Sequence, residues 1–165
     1  MTHTIAHVGL GSNAPDAQRR IDEALDRIRA LPGVTLLRIS PIYRTSPQEM
    51  RDQPWFENGV AAVEVTPDWS APRLLEALLG IETAMGRVRT GPRYGPRVID
   101  LDLLLFGDAT SEIPSCRIPH PRMVHRAFVL VPLNDIAPDC AIHGLPPRHW
   151  LAQMTYRLEG RDIVQ

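Results

Sequence analysis

Two aspartates separated by one residue stand in a stretch that has the character of a β-strand. Residues 98–106 are rich in branched apolar side chains, which predicts a strand. Because side chains alternate between the two faces of a strand, Asp100 and Asp102 should point the same way, about 7 Å apart. The alternate residues should point into the core: Leu101, Leu103 and Leu105. Neighbouring carboxylates repel each other and lose hydration, and a hard cation would remove both penalties; oxygen ligands favour Mg²⁺.

Four arginines precede this strand in a segment that contains no acidic residue: Arg87, Arg89, Arg93 and Arg97. The glycines and prolines within residues 91–96 exclude regular structure, which predicts a loop. Permanently charged guanidinium groups beside an Asp-x-Asp strand suit a metal-bound polyphosphate, because the metal and the arginine forks can share its oxygens. The alternative is a solvated basic loop beside two exposed acids.

Composition excludes several classes of function. The 165 residues, with 44% hydrophobic and 22% charged side chains, are typical of one globular domain over 1–165. A net charge of −1 gives no overall field that would attract nucleic acid or a membrane.

With no long apolar run and no signal pattern, and with Cys116 and Cys140 expected as free thiols, we expect a cytoplasmic protein. All 18 lysine-plus-arginine positions are arginine, which excludes a Schiff-base or phosphate-loop lysine.

Hydrophobic periodicity predicts the element order β-α-β-β-α-β, followed by further helix. The predicted strands cover residues 4–10, 34–42, 56–65 and 98–106, and the predicted helices cover 15–31 and 70–85. This order is the split βαβ arrangement of ferredoxin-like α+β folds, in which an antiparallel sheet carries its helices on one face. The other face would stay open for a ligand.

Prolines and polar residues mark the boundaries of these elements. Ser40 and Pro41 should interrupt the second strand, because proline cannot donate a hydrogen bond to a sheet. Ser70 should cap the second helix, and Pro132 should kink any helix that forms within 126–136. A short helix is expected around Trp150, and the tail after residue 157 is expected to be frayed.

Three further features are candidates for a ligand site. Phe56 and Asn58 share a face at the start of the third strand and could form a platform for a flat heterocycle. The alternative, which is commoner in proteins generally, is that the phenylalanine belongs to the core and the asparagine to a turn. Glu82 interrupts the apolar stripe of the second helix, so it is a candidate inward-facing acid. The polar segment 48–53 is too long for a hairpin turn, which predicts a mobile loop.

Five segments, taken in order, resemble the 6-hydroxymethyl-7,8-dihydropterin pyrophosphokinase family. They are residues 9–13, 40–45, 53–58, 86–107 and 118–133, and the resemblance extends over residues 5–155. It implies transfer of pyrophosphate from ATP to the hydroxymethyl group of the pterin, with release of AMP, as a step of folate biosynthesis. ATP and the pterin would be the partners, and two Mg²⁺ ions the cofactors.

The resemblance places most of the charged residues on the ATP side of the site. Asp100 and Asp102 would hold the Mg²⁺ ions on the triphosphate, and Arg87 and Arg97 would neutralise phosphate charge during transfer. Tyr94 stands where tryptophan is common in the family and keeps an aromatic cover. The ATP-binding residues implied in this way are Arg89, Arg93, Tyr94, Leu103, His120 and Arg126.

On the pterin side, the resemblance implies that Phe56 and Phe128 sandwich the ring. Asn58 would hydrogen-bond the ring edge together with backbone groups near Thr45, and Asp100 would also be a pterin-binding residue. The loops 11–15, 46–53 and 87–97 would close over the substrates as a lid.

Leu79 and Pro121 depart from the family pattern, where glutamine and an aromatic residue are common, so contacts to adenine and ribose are not carried over. No side chain is arranged as a nucleophile, which is consistent with direct attack by the substrate hydroxyl; Asp102 or water could accept its proton.

Two other functions fit part of the sequence. An Asp-x-Asp strand also serves nucleotidyltransferases, which would transfer AMP instead of pyrophosphate. A ferredoxin-like regulatory or RNA-binding module is the non-enzymatic alternative, but the net charge and the lack of paired aromatic strand motifs argue against RNA. We expect a monomer.

Overall fold

The computed structural model describes residues 2–47, 53–86 and 98–165, and the described residues form a mixed α+β fold. The strands are β1 (Thr4–Ser12), β2 (Val34–Ile39), β3 (Tyr43–Thr45), β4 (Phe56–Val65), β5 (Asp100–Phe106), β6 (Arg157–Glu159) and β7 (Asp162–Val164). The helices are α1 (Ala17–Arg29), α2 (Ala71–Ala84), α3 (Ala127–Ile136) and α4 (Pro147–Leu151). The predicted α+β class is confirmed. None of the described helices has the length and apolar character that a membrane crossing needs.

In the sheet, β1 lies between β4 and β5, and β5 forms one edge. The far edge of β4 is shared by β2 and β3, and β3 also pairs in parallel with β7. The predicted second strand is therefore split, as its Ser-Pro pair indicated. Ser40 takes over the pairing at the break, since its amide donates to Val60 O and its hydroxyl accepts from Val60 N, both at 2.9 Å.

Helices cover both faces of the sheet. The side chains of α1 and α2 pack on one face against strand residues such as Val63 and Leu101. On the opposite face, α3 packs over Val60 and Ala62, so only part of the face expected to be open is uncovered. The reason is that α3 is apolar on nearly all sides and has to be buried, although Pro132 lies within it.

A β-bulge changes the direction of the side chains in β5. Val8 of β1 is opposite Leu103 and His7 is opposite Leu105, so Leu104 is an extra residue. Leu101 and Leu103 point toward α1 and α2 as predicted, but Leu105 joins Leu104 in the core beside α3. The expectation that Leu105 shares a face with Leu101 was wrong, because strict alternation ends at the bulge.

The tail after residue 157 is ordered, which contradicts the prediction of fraying. Its second strand, β7, pairs with β3, and Ile163 is buried against Tyr43, Ala127 and Val131. Asp162 accepts two hydrogen bonds from the Arg44 guanidinium, at 3.2 and 2.9 Å. The tail is thus held by an apolar contact and an ion pair that no local sequence pattern reveals.

His7 is a buried titratable residue on the face of the sheet that carries α3. It is 8% exposed, and its Nδ1 has no hydrogen-bond partner in the described structure. Burial lowers the pKa of His7, because the charged ring would lose its hydration. The ring is therefore neutral in the folded protein near pH 7.

We predict that Ile163→Ala lowers the free energy of unfolding by about 2–5 kcal/mol, because it opens a cavity beneath β3. Chemical denaturation measures this change. Ile113→Ala is the matched control, since Ile113 is 59% exposed and its truncation should change stability by less than about 0.5 kcal/mol. Equal stability of the two variants would show that the tail is not part of the core.

We predict that His7 weakens the fold in acid. The unfolded chain binds a proton near the ordinary histidine pKa and the folded chain only at lower pH, so stability falls as pH drops through this window. One such group changes the free energy of unfolding by at most about 1.4 kcal/mol per pH unit. Denaturation curves at several pH values should show a smaller loss between pH 7 and pH 5 for His7→Leu, whatever its stability at pH 7. An unchanged pH dependence would contradict this prediction.

Candidate active site

The acid pair lies at the start of β5 on the face of the sheet opposite α1 and α2. Asp100 and Asp102 are half-buried, whereas Leu101 and Leu103 between and beside them are buried in the core. Asp100 is paired with Gly11 of β1 and Asp102 with Gly9. The two carboxylates therefore stand beside two positions of β1 that carry no side chain.

Glu82 of α2 holds the beginning of this strand in place. Its carboxylate is 2% exposed and accepts a hydrogen bond from the backbone amide of Leu101 at 2.7 Å. Leu101 is the residue between the two aspartates. The inward-facing acid found in the sequence thus has a structural contact with the strand that carries the acid pair.

Gly11 lies between the acid pair and an anchored amide. It is opposite Asp100 on one side and opposite Asn58 of β4 on the other, so the three residues form one row across the sheet. The Asn58 side chain leans over Gly11, since a Cβ there would collide with its Oδ1. Its Nδ2 donates to Thr45 Oγ1 at 2.6 Å, and both side chains are buried. The orientation of the Asn58 amide is therefore fixed, with its oxygen toward β1.

Two aromatic residues stand on different elements around this row. Phe56 begins β4 and is half-buried, and Phe128 is half-buried in the first turn of α3. The guanidinium carbon of Arg126 lies 5.3 Å from the centre of the Phe128 ring, within the range of a cation–π contact. The structure thus brings together one residue predicted for ATP and one predicted for the pterin.

His120 lies on the other side of Asp102 in a groove between β5, α2 and the segment 114–121. The groove is lined by Asp102, Leu103 and His120, with Leu75, Cys116 and Ile118 around them. Burial lowers the pKa of His120; the charge of Asp102 opposes this effect, and Arg126 and Arg122 add to it. Its Nδ1 accepts a hydrogen bond from the Arg122 amide at 3.2 Å, so the neutral ring carries its proton on Nε2.

A buried polar pair joins the loop after β1 to the segment before β4. Asn13 Nδ2 donates to Gln53 Oε1 at 2.8 Å and to Pro54 O at 3.3 Å, and both side chains are buried. Asn13 ends the segment 9–13 that carries part of the family resemblance, but that segment has no sign of this pairing. The partner of Asn13 lies 40 residues away along the chain, so only the fold could reveal it.

Several predicted site residues lie outside the described residues: Arg87, Arg89, Arg93, Tyr94 and Arg97. Residues 48–52 of a predicted lid loop also lie outside them. Among the predicted site residues that the structure does describe, it brings Asp102, Leu103 and His120 together in one groove and joins Asn58 to Thr45 by a hydrogen bond.

The described residues suit a hard cation that is also bound by water and by substrate oxygens. Among them, no group of three or more histidine, cysteine, aspartate or glutamate side chains is arranged to hold a metal. Two half-buried carboxylates offer oxygen ligands only, and Mg²⁺ is commonly bound by one or two carboxylates with water and substrate phosphates completing the shell. The acid pair therefore fits magnesium bound together with a phosphorylated substrate.

A half-buried pair of carboxylates that fits a metal-bound phosphate suits a metal-dependent phosphotransferase. Comparison with known proteins gives the family. The family model described as 7,8-dihydro-6-hydroxymethylpterin-pyrophosphokinase (HPPK) matches residues 7–138. The chain belongs to this family, as its motifs indicated. It is therefore an enzyme of folate biosynthesis that transfers a pyrophosphoryl group from ATP to hydroxymethyldihydropterin.

Curated relatives support this membership over most of the chain. The 2-amino-4-hydroxy-6-hydroxymethyldihydropteridine pyrophosphokinase of Pseudomonas aeruginosa is 47% identical over 134 residues, covering 81% of this chain and 80% of the relative. The protein of the same name from Methylorubrum extorquens is 43% identical over 151 residues, covering 92% and 94%.

Solved structures show the same fold. The crystal structure of wild-type Plasmodium falciparum HPPK-DHPS with pteroate aligns with a TM-score of 0.69 at 16% identity. The alignment covers 92% of this chain but only 42% of that longer chain. HPPK enzymes bind ATP and the pterin substrate and generally use Mg²⁺.

We predict that Glu82→Ala lowers the free energy of unfolding by about 1–3 kcal/mol, because it leaves the Leu101 amide buried without this acceptor. Glu82→Gln should lose less, since its amide oxygen can still accept. Thermal denaturation compares the two variants. Glu76→Ala, at an exposed position of the same helix, is the control and should be close to wild type. Wild-type stability of Glu82→Ala would show that this contact does not support β5.

Proposed function

We propose that the row formed by Asp100, Gly11 and Asn58 is the place where the pterin and the triphosphate of ATP meet. The single observation that supports this proposal is the glycine in the middle of the row. Because this position has no side chain, the anchored Asn58 amide, which suits a polar ring edge, can lie over β1 next to the carboxylates, which suit a metal-bound phosphate. The hydroxyl of the pterin attacks the β-phosphorus, the bond from this phosphorus to the oxygen of the α-phosphate breaks, and AMP leaves.

Asp100 and Asp102 are the residues that we propose as ligands of two Mg²⁺ ions. Bound there, the ions would neutralise the negative charge of the triphosphate. The carboxylates are presented on one face of a strand whose other side is fixed in the core, so their positions change little when substrates bind. Glu82 contributes by holding the backbone between them.

The pterin ring is proposed to lie beside the Asn58 amide, between Phe56 and Phe128. The Asn58 Oδ1 would accept from an N–H group of the ring, because its Nδ2 is engaged with Thr45. A flat heterocycle gains from stacking on aromatic faces while its edge makes hydrogen bonds, and both kinds of group are present here.

The nucleotide is proposed to extend from the acid pair along the groove that contains Leu103 and His120. A neutral His120 with its proton on Nε2 can donate to a phosphate oxygen. Arg126 would add a fixed positive charge. Arg87 and Arg97 for charge neutralisation, and Arg89, Arg93 and Tyr94 for ATP binding, stay proposals based on the family resemblance.

We also propose that residues 1–165 form a single domain that acts as a cytoplasmic monomer. The free thiols of Cys116 and Cys140 are consistent with a reducing compartment. Sedimentation of the purified protein at several concentrations tests the oligomeric state, and a stable dimer would contradict the proposal.

We predict that Asp100→Asn and Asp102→Asn each lower turnover by about 10²–10³-fold, because each removes a charge that would bind the metal–phosphate group. Their melting temperatures in metal-free buffer should be unchanged or higher, since repulsion between the acids is relieved. The assay incubates the enzyme with ATP, Mg²⁺ and 6-hydroxymethyl-7,8-dihydropterin and separates the nucleotides.

Asp108→Asn serves as the matched control, because Asp108 is exposed just beyond β5 and should keep full activity. Wild-type enzyme should release AMP. Release of inorganic pyrophosphate instead would contradict the proposed reaction, and full activity of either site variant would contradict the proposed role of the acid pair.

A further inference from the structure

We propose that Gln165 is a positioning residue of the site, whose side-chain amide fixes the backbone on both sides of Arg126. This inference rests on the proposed function, which assigns Arg126 to the nucleotide. No sequence motif indicated Gln165, which follows β7 and is far from the site along the chain.

The amide of Gln165 contacts the two peptide groups that flank Arg126. Its Oε1 accepts from the Ala127 amide, and its Nε2 donates to the His125 carbonyl, both at 2.8 Å. One planar group thus restrains the chain before and after Arg126, and we call these two hydrogen bonds the clamp. This arrangement is specific for an amide, because a carboxylate could accept from Ala127 but could not donate to His125.

These contacts meet a need at the start of α3. The first amides of a helix have no partner within the helix, and a Ser, Thr, Asp or Asn at the capping position usually accepts from one of them. Arg126 occupies that position in α3 and supplies no side-chain cap. The cap for Ala127 comes instead from Gln165, a residue 38 positions away along the chain.

The restrained segment carries Arg126 and leads to Phe128, the two side chains proposed to contact the substrates. The carbonyl of Arg126 accepts from the amides of Val129 and Leu130 at 3.0 Å, so its backbone links the clamp to the helix. A rotation of the backbone at Arg126 would move its guanidinium relative to the Phe128 ring, 5.3 Å away. Gln165 would therefore act on the site through the direction of Arg126.

The same segment of chain is attached to the other wall of the site. The backbone N–H of Gln165 donates to Ser46 Oγ at 3.4 Å, and the backbone N–H of Ser46 donates to the Ile163 carbonyl at 3.0 Å. Ile163 is paired with Thr45, the residue that anchors Asn58. The tail thus connects the Thr45 side of the site with the start of α3.

The test compares Gln165→Ala and Gln165→Glu with wild type, using Glu159→Ala as the control. Glu159 belongs to the same tail hairpin but is exposed, and its side chain pairs with Arg157 and not with α3. We predict that Gln165→Ala speeds hydrogen exchange at the Ala127 amide and weakens binding of a nonhydrolysable ATP analogue with Mg²⁺ by about three- to tenfold. Gln165→Glu should lie between Gln165→Ala and wild type.

A double-mutant cycle with Arg126→Ala separates positioning from general loss of stability. If Gln165 acts through Arg126, adding Gln165→Ala to Arg126→Ala should weaken analogue binding no further. An equal additional loss in that background, or analogue binding by Gln165→Ala equal to wild type, would overturn the proposal.

Failure of this inference can be told from failure of the proposed function. Wild-type enzyme that releases AMP, together with unchanged binding by Gln165→Ala, would reject only the role of Gln165. The absence of AMP release by wild type would reject the proposed reaction, whereas exchange at the Ala127 amide reports the clamp without reference to activity.

Discussion

The site depends on the absence of a side chain at one position of β1. β1 passes between the strand with the acid pair and the strand with Asn58, and any side chain at position 11 would displace the Asn58 amide. Gly9 is paired with Asp102 in the same way. Because the neighbouring strands are fixed at hydrogen-bonding distance on each side, the separation of Asp100 from Asn58 is set by the sheet itself and does not have to form when a ligand arrives.

Around the row of Asp100, Gly11 and Asn58, buried polar contacts hold segments that are far apart in the chain. Glu82 of α2 fixes the backbone between the two aspartates, and Thr45 fixes the direction of the Asn58 amide. Hydrogen bonds of this kind are strong in a low-dielectric interior and costly to leave unmade, so each one restrains its partner closely. Rigid support of this kind suits phosphoryl transfer, in which alignment and charge stabilisation contribute most of the rate.

Local patterns were sufficient for most of the secondary structure. The strand at 56–65 has the predicted bounds, and Ser70 accepts from the Arg73 amide at 3.2 Å as a helix cap. Local patterns failed where pairing between distant segments decides the outcome. The bulge that turns Leu105 away from Leu101 arises from the register between β1 and β5, and the order of the tail arises from the cavity that receives Ile163. Neither cause is present in the local sequence.

The sequence by itself determined the chemical groups and their spacing: two aspartates on one side of a strand, arginines before it, a phenylalanine and an asparagine two residues apart, and the family motifs that join them. These are properties of short segments, where the period of a strand or helix fixes which side chains point together. Only the tertiary structure decided that Gly11 separates Asp100 from Asn58, that Glu82 supports the acid strand, and that Gln165 caps α3. Those relations join residues that are far apart in the chain and are brought together by sheet pairing and packing, so no local sequence pattern reveals them.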